Sequence, residues 1–163
     1  MDRGHRSDPA DVLIMLRFSK KADYALMAMK HLAIEPPGHA SARSIAQRYR
    51  IPPELLAKIL QRLVRKGLLR SRHGIRGGYD LAQAPAAISV LEVIQAIDGP
   101  LTLTTCSDAD HRCAQFRSCC VRDPLWQVRD RIMETLRTLS VFDLTISVDA
   151  PTPTTQAARA PQR

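Results

Sequence analysis

Four cysteines stand within fifteen positions of one another, Cys106, Cys113, Cys119 and Cys120, in the run LTLTTCSDADHRCAQFRSCC. Converging thiolates are strong ligands for soft metal ions. Their separations here are seven, six and one. Zinc sites generally use spacers of about two to four residues that fold into tight knuckles, which this run lacks. Two wider spacers suit a loop draped over an iron–sulfur cluster. Adjacent residues cannot easily both point at one cluster, so three thiolates are expected: Cys106, Cys113 and one of Cys119 and Cys120. Asp108, Asp110, His111 and Asp123 are further oxygen or nitrogen donors close by. A thiol redox switch is the alternative chemistry.

A second stretch carries charge. Over residues 41–79, Arg43, Arg48, Arg50, Lys58, Arg62, Arg65, Lys66, Arg70, Arg72 and Arg76 oppose Glu54 alone, a balance of +9 against +8 for the whole chain. The basicity is therefore local. A local positive field suits a polyphosphate partner, because each neutralised phosphate releases a condensed counterion.

The elements that must hold these groups follow from the pattern. Ser41 is an N-cap candidate for a helix through Ala42, Ile45, Ala46 and Tyr49. Arg50-Ile51-Pro52-Pro53 stops it, and Pro53 can open the next helix. Leu55, Leu56, Ile59, Leu60, Leu63 and Val64 form that helix's apolar stripe, with Ala57, Lys58, Gln61, Arg62 and Arg65 on or near the other face. Gly67 caps it. Helix, short turn and basic helix are a helix-turn-helix pattern, whose second helix enters the major groove. Leu68–Arg72 and Gly78–Ala82 then read as the strands of a wing with residues 73–77 at its tip. Lys58, Gln61, Arg62 and Arg65 are the expected groove contacts, Arg43 and Arg48 phosphate contacts, and Arg72, His73 and Arg76 wing contacts.

The expected fold is mostly α with a small β-wing: a winged helix-turn-helix domain plus a long C-terminal dimerisation helix. Residues 1–14 read as an N-terminal extension, with Met15 a candidate alternative start. Residues 15–82 form the DNA-binding domain, opened by a helix that Ser19 caps and whose core face carries Ala22, Ala25, Leu26, Met29, Leu32 and Ala33. Residues 83–100 hold a connector and a fourth helix, with Ser89 and Glu92 as a capping box and Val90, Val93, Ile94 and Ile97 inward. The cysteine loop spans 101–120 and the dimerisation helix 121–145. In that helix a thin seam of Leu125, Val128, Ile132, Leu136 and Leu139 is flanked by charge, which suits two-fold self-association or packing on its own domain. Residues 146–163 read as a disordered tail.

Other function classes are set aside. No apolar run approaches the roughly 20 residues of a membrane span. Val12-Leu13-Ile14-Met15-Leu16 is too short for a secretory signal and lacks a cleavage site, so a cytoplasmic protein is expected. There, four cysteines argue for metal or redox chemistry over structural disulfides. Aromatic residues make up only 4% of the chain, which speaks against base stacking on single strands or RNA. No nucleophile–base pair or phosphate-binding glycine loop is present, so an enzyme is not expected.

SKKADYALMAMKHLA, the block from Ser41 to Leu81, ISVLEVIQAIDGP, the cysteine loop and CVRDPLWQVRDRI together resemble the IscR-like, Rrf-type winged-helix transcription regulators of bacteria, over about residues 15–145. The resemblance implies a homodimer on a palindromic double-stranded operator, with the long C-terminal helix at the dimer interface. It implies a cluster, often 2Fe–2S, on three loop cysteines. Cys120 matches the last of these counting back from Trp126, and Cys119 has the more usual spacing counting forward from Cys113. Where some relatives place a histidine as fourth ligand, this chain has Asp123. Where others use an acid from the first helix of the partner subunit, it has Asp23. Regulation of SUF-type cluster assembly and nitric-oxide sensing are the two subtypes suggested.

Three readings follow. The first is a transcriptional regulator, a repressor, whose operator affinity is controlled by a cluster sensing cluster supply, oxidants or nitric oxide. The second is a cluster-free repressor of the same fold that senses thiol oxidation or a metabolite. The third is an electron-transfer protein whose winged helix makes only protein contacts, which the +9 stretch speaks against.

Overall fold

A computed structural model describes residues 18–34, 39–74, 77–102, 116 and 118–146. Helix α1 (Lys20–Ile34) starts at Ser19, whose hydroxyl accepts from the Ala22 amide at 3.2 Å. Its buried face is Ala22, Ala25, Ala28, Met29 and Leu32. The small alanines let α3 and α4 approach closely. His31 is also buried, at 6% exposure, with its Nδ1 3.4 Å from the Tyr49 hydroxyl and the two rings edge-on at 5.6 Å. The apolar periodicity of α1 had not marked it as a core residue.

Helix α2 (Ala42–Tyr49) is capped by Ser41, which accepts from the Ser44 amide at 3.0 Å. It ends at Arg50, a left-handed residue with φ +53° whose amide reaches back to the carbonyls of Ala46 and Gln47. Helix α3 (Pro53–Arg65) opens with proline in its first turn and buries Leu56, Ile59, Leu60 and Leu63, with Leu55 and Val64 half-buried. Gly67, at φ +74°, turns the chain into the wing.

The wing is β2 (Leu69–Arg72) against β3 (Gly78–Leu81), antiparallel, with Leu69 opposite Leu81 and Arg72 opposite Gly78. Each strand is one residue shorter than expected. A third strand, β1 (His39–Ala40), pairs with the other edge of β3, giving the order β1-β3-β2. Two residues carry no periodicity, so the pattern was silent on it. The strand accounts for Gly78: a Cβ there would stand 2.6 Å from the Ala40 carbonyl oxygen.

Helix α4 (Val90–Asp98) has the full capping box, with Ser89 accepting from the Glu92 amide and the Glu92 carboxylate accepting from the Ser89 amide at 2.8 Å. It buries Val90, Leu91, Val93, Ile94, Ala96 and Ile97.

Helix α5 (Arg122–Thr138) is shorter than the expected 121–145. Leu139 turns extended, and the chain folds back on the start of α4. The Val90 amide donates to the Leu139 carbonyl and the Val141 amide to the Ile88 carbonyl, both at 2.8 Å. Val141 is fully buried, and Asp143 accepts from the hydroxyl and amide of Ser140. The helix is thus anchored at its C-terminal end. No residue of α5 itself is buried, and Val121, Leu125, Val128 and Leu139 are exposed. No helix among the described residues is long and apolar enough to cross a membrane. The proposed extension 1–14 and all but Ile146 of the proposed tail lie outside the described residues.

Candidate nucleic-acid interface and thiol pair

Packing α3 by Leu56, Ile59, Leu60 and Leu63 leaves Lys58, Gln61, Arg62 and Arg65 exposed. Two grooves flank this ridge. On the wing side Gln61, Val64, Arg65, Ser71, His73 and Tyr79 line a groove of about 390 Å³. On the other side Lys58, Arg62 and Arg65 line a cleft of about 620 Å³ that reaches α1 and α4. Arg65 borders both.

The cations differ in how they are held. Arg62 donates from Nε to the carbonyl of Ala96 at 2.6 Å, so it also links α3 to α4. Arg72 donates from Nε to Asp80 Oδ1 at 2.9 Å across the hairpin, and the hydrogen bond and charge of Asp80 raise its pKa above the ordinary guanidinium value. The pairing sets the direction of Arg72 while most of its side chain remains exposed. Arg70 donates to the Ala82 carbonyl at 2.6 Å and braces the base of the wing. Arg43 and Arg48 are exposed on α2 and line neither groove. His73 lies on the wing-side groove, and Arg76 falls outside the described residues.

At the start of α5, Cys119 is half-buried and Cys120 exposed, both free thiols. Cys106 and Cys113 lie outside the described residues, as do Asp108, Asp110 and His111. Arg122 closes the end of the loop: Nη1 donates to the Phe116 carbonyl at 2.8 Å, and the guanidinium lies 4.6 Å from the Phe116 ring centre and 5.4 Å from that of Trp126. Its Nε donates to Asp123 Oδ1 at 2.6 Å, which holds the Asp123 carboxyl below the usual carboxylate range. Trp126 Nε1 is buried with no hydrogen-bond partner among the described residues. The Arg122–Trp126 pair was legible as an i, i+4 spacing, but only the structure adds Phe116 to it.

Asp23 is exposed on α1. Met27 and Ile34, four and eleven positions on, lie on the same face and are 38% and 52% exposed, an apolar stripe without cover among the described residues. No three His, Cys, Asp or Glu side chains among the described residues converge as a metal site.

Residues 18–146 match the family model described as "Rrf2: Iron-dependent Transcriptional regulator". A putative HTH-type transcriptional regulator of Synechocystis sp. is 39% identical over 87 residues, which is 53% of this chain and 59% of that protein, so the chain spans little more than half the length of that relative. An NsrR regulator of Shouchella clausii is 26% identical over 82% of this chain and 91% of its own length. Among solved structures, CymR, the global cysteine regulator of B. subtilis, superposes with a TM-score of 0.66 at 29% identity, covering 80% of this chain and 97% of that one. An IscR from T. potens superposes with a TM-score of 0.62 at 28% identity, covering 79% and 85%.

Proposed function

Because the chain belongs to the Rrf2 family of transcriptional regulators, we propose that it is a homodimeric repressor whose operator affinity is controlled by an iron–sulfur cluster.

 DNA reading is the work of the protein's own groups. Lys58, Gln61, Arg62 and Arg65 would face the base edges and backbone of the major groove, with Arg43, Arg48, Arg72, His73 and Arg76 on phosphates. The observation that carries the reading is the build of α5: it is anchored beside α4 at one end, has no buried residue along its length, and bears Cys119 and Cys120 at the other end. A helix so placed can tie the state of the thiols to the spacing of two DNA-reading domains.

Cys106, Cys113 and Cys120, or Cys119 in its place, would hold a cluster of the 2Fe–2S type, and Asp23 or Asp123 would supply the oxygen ligand. The free thiols of Cys119, half-buried, and Cys120, exposed, suit the thiolate donors such a site needs. When bound, the cluster would supply iron that oxidants and nitric oxide can attack. Asp23 is favoured as fourth ligand, since Asp123 is engaged by Arg122 while Asp23 shares with Met27 and Ile34 a face that has no cover among the described residues. That stripe and the partly exposed seam of α5 are the surfaces a second subunit would cover. Coupling of about 1–3 kcal/mol between cluster and operator would change affinity roughly five- to 150-fold.

The test is anaerobic purification with iron and acid-labile sulfide counts, a visible spectrum, and operator binding before and after cluster removal. Visible bands that fade in air or nitric oxide, with a matching change in affinity, are expected. An iron-free protein that still binds DNA would replace this reading with a thiol- or metabolite-sensing repressor. The adjacent free thiols and the likeness to a cysteine regulator favour that second reading. In either case the protein would act in the cytoplasm.

A further inference from the structure

The recognition helix α3 has a charged flank that the wing does not touch. The cleft there opens between the first turn of α1, the exposed face of α3 and the last turn of α4. Five cations line it, Lys20, Lys21, Lys58, Arg62 and Arg65, against one acid, Asp98. Both oxygens of that acid are occupied, because the Ser19 amide donates to Oδ2 at 3.0 Å and the Ser19 hydroxyl donates to Oδ1. The bond joins the start of α1 to the end of α4 and so holds Lys20 and Lys21 beside α3. Lys20, Lys21, Lys58 and Arg65 form no ion pair with a described residue.

This placement is unfavourable for the isolated protein. The cations repel one another, and two lysines in the first turn of α1 stand at the positive end of its dipole. An anion seated in the cleft would relieve both effects.

We propose that the cleft is a second seat for DNA backbone phosphate, completed by Lys20 and Lys21, on the side of the recognition helix opposite the wing. The proposal rests on the DNA-binding reading above. A helix in the major groove has a sugar–phosphate strand on either side, across a width of about 12 Å. Arg72 and His73 meet one strand from the wing, and Lys20 and Lys21 meet the other from α1. The two lysines are remote from α3 in sequence, and the charge count of residues 41–79 does not include them.

The test is the salt dependence of binding by the full chain to a mixed-sequence duplex of about three helical turns, since phosphate contacts do not require the operator. The Lys20→Gln, Lys21→Gln double variant should flatten the slope of log K against log salt by up to about 1.8, at about 0.9 per phosphate released. The Lys20→Arg, Lys21→Arg variant should keep the wild-type slope. Both lysines are exposed, so thermal melting should show both variants folded. An unchanged slope in the glutamine variant, with wild-type binding intact, overturns the phosphate seat alone. No salt-dependent binding by the wild type overturns the DNA-binding reading and the seat with it.

Discussion

Arg62 Nε and the carbonyl oxygen of Ala96 lie 2.6 Å apart, which joins the recognition helix to the last turn of α4. Arg62 is therefore a structural strut as well as a candidate DNA contact. Arg62→Ala should lower operator affinity and also cost about 1 kcal/mol of stability, the usual net value of such a bond. That corresponds to roughly 2–4 °C in melting temperature. Loss of affinity with an unchanged melting temperature would remove the strut role.

Arg50 closes α2 in the left-handed region, at φ +53°. A side chain there carries a steric cost that glycine avoids. Arg50→Gly should stabilise the folded chain by roughly 0.5–1 kcal/mol, offset in part by the greater freedom of the unfolded chain. Denaturant melts check this, and a lower midpoint would show that the Arg50 side chain makes a compensating contact.

Asp143 holds the segment that anchors α5. Hydrogen bonds from the Ser140 hydroxyl, and then from its amide, lower the Asp143 pKa below the ordinary carboxylate value. A carboxyl lowered on folding stabilises the fold above its unfolded pKa, about 3.9, and that contribution is lost as pH falls through the folded value. Relative to the intrinsic rate of an unstructured amide, hydrogen exchange at the Val141 amide should therefore accelerate below about pH 4. In Asp143→Asn it should be faster at neutral pH and lose that acid-dependent step.

The two candidate oxygen ligands separate by substitution. Asp23→Ala should lower iron per protein several-fold in anaerobic preparations, while Asp123→Ala should leave it near the wild-type value. The reverse result would assign the ligand to Asp123 despite its pairing with Arg122.

Trp126 is the chain's single tryptophan, and it stacks with Arg122 beside Phe116. Arg122→Ala removes both the stack and the bond to the Phe116 carbonyl, so Trp126 emission should shift to the red. An unchanged spectrum would mean that the loop end is held by other contacts.

Much of the fold was legible because it is local. Ser41, Ser89 with Glu92, Pro53 and Gly67 act on neighbours a few positions away, and each ends or begins a helix as its chemistry requires. The alternation of apolar and polar residues likewise assigned the buried face of α3. The cysteines and the basic stretch announced themselves by type and density.

What the tertiary structure decided depends on contacts between distant residues, which leave no periodic trace. The two-residue strand β1 exists because Ala40 meets Tyr79 across the sheet. Helix α5 stops at Thr138 because the following segment gains backbone partners at Pro85, Ile88 and Val90 and a buried site for Val141. Lys20 and Lys21 share a cleft with Lys58, Arg62 and Arg65 because Ser19 and Asp98, 79 positions apart, hydrogen-bond. By itself the sequence determined which helices form and where the chemistry is concentrated. Only the packing of those helices decided which charges share a groove, since that is set by side chains meeting across the core.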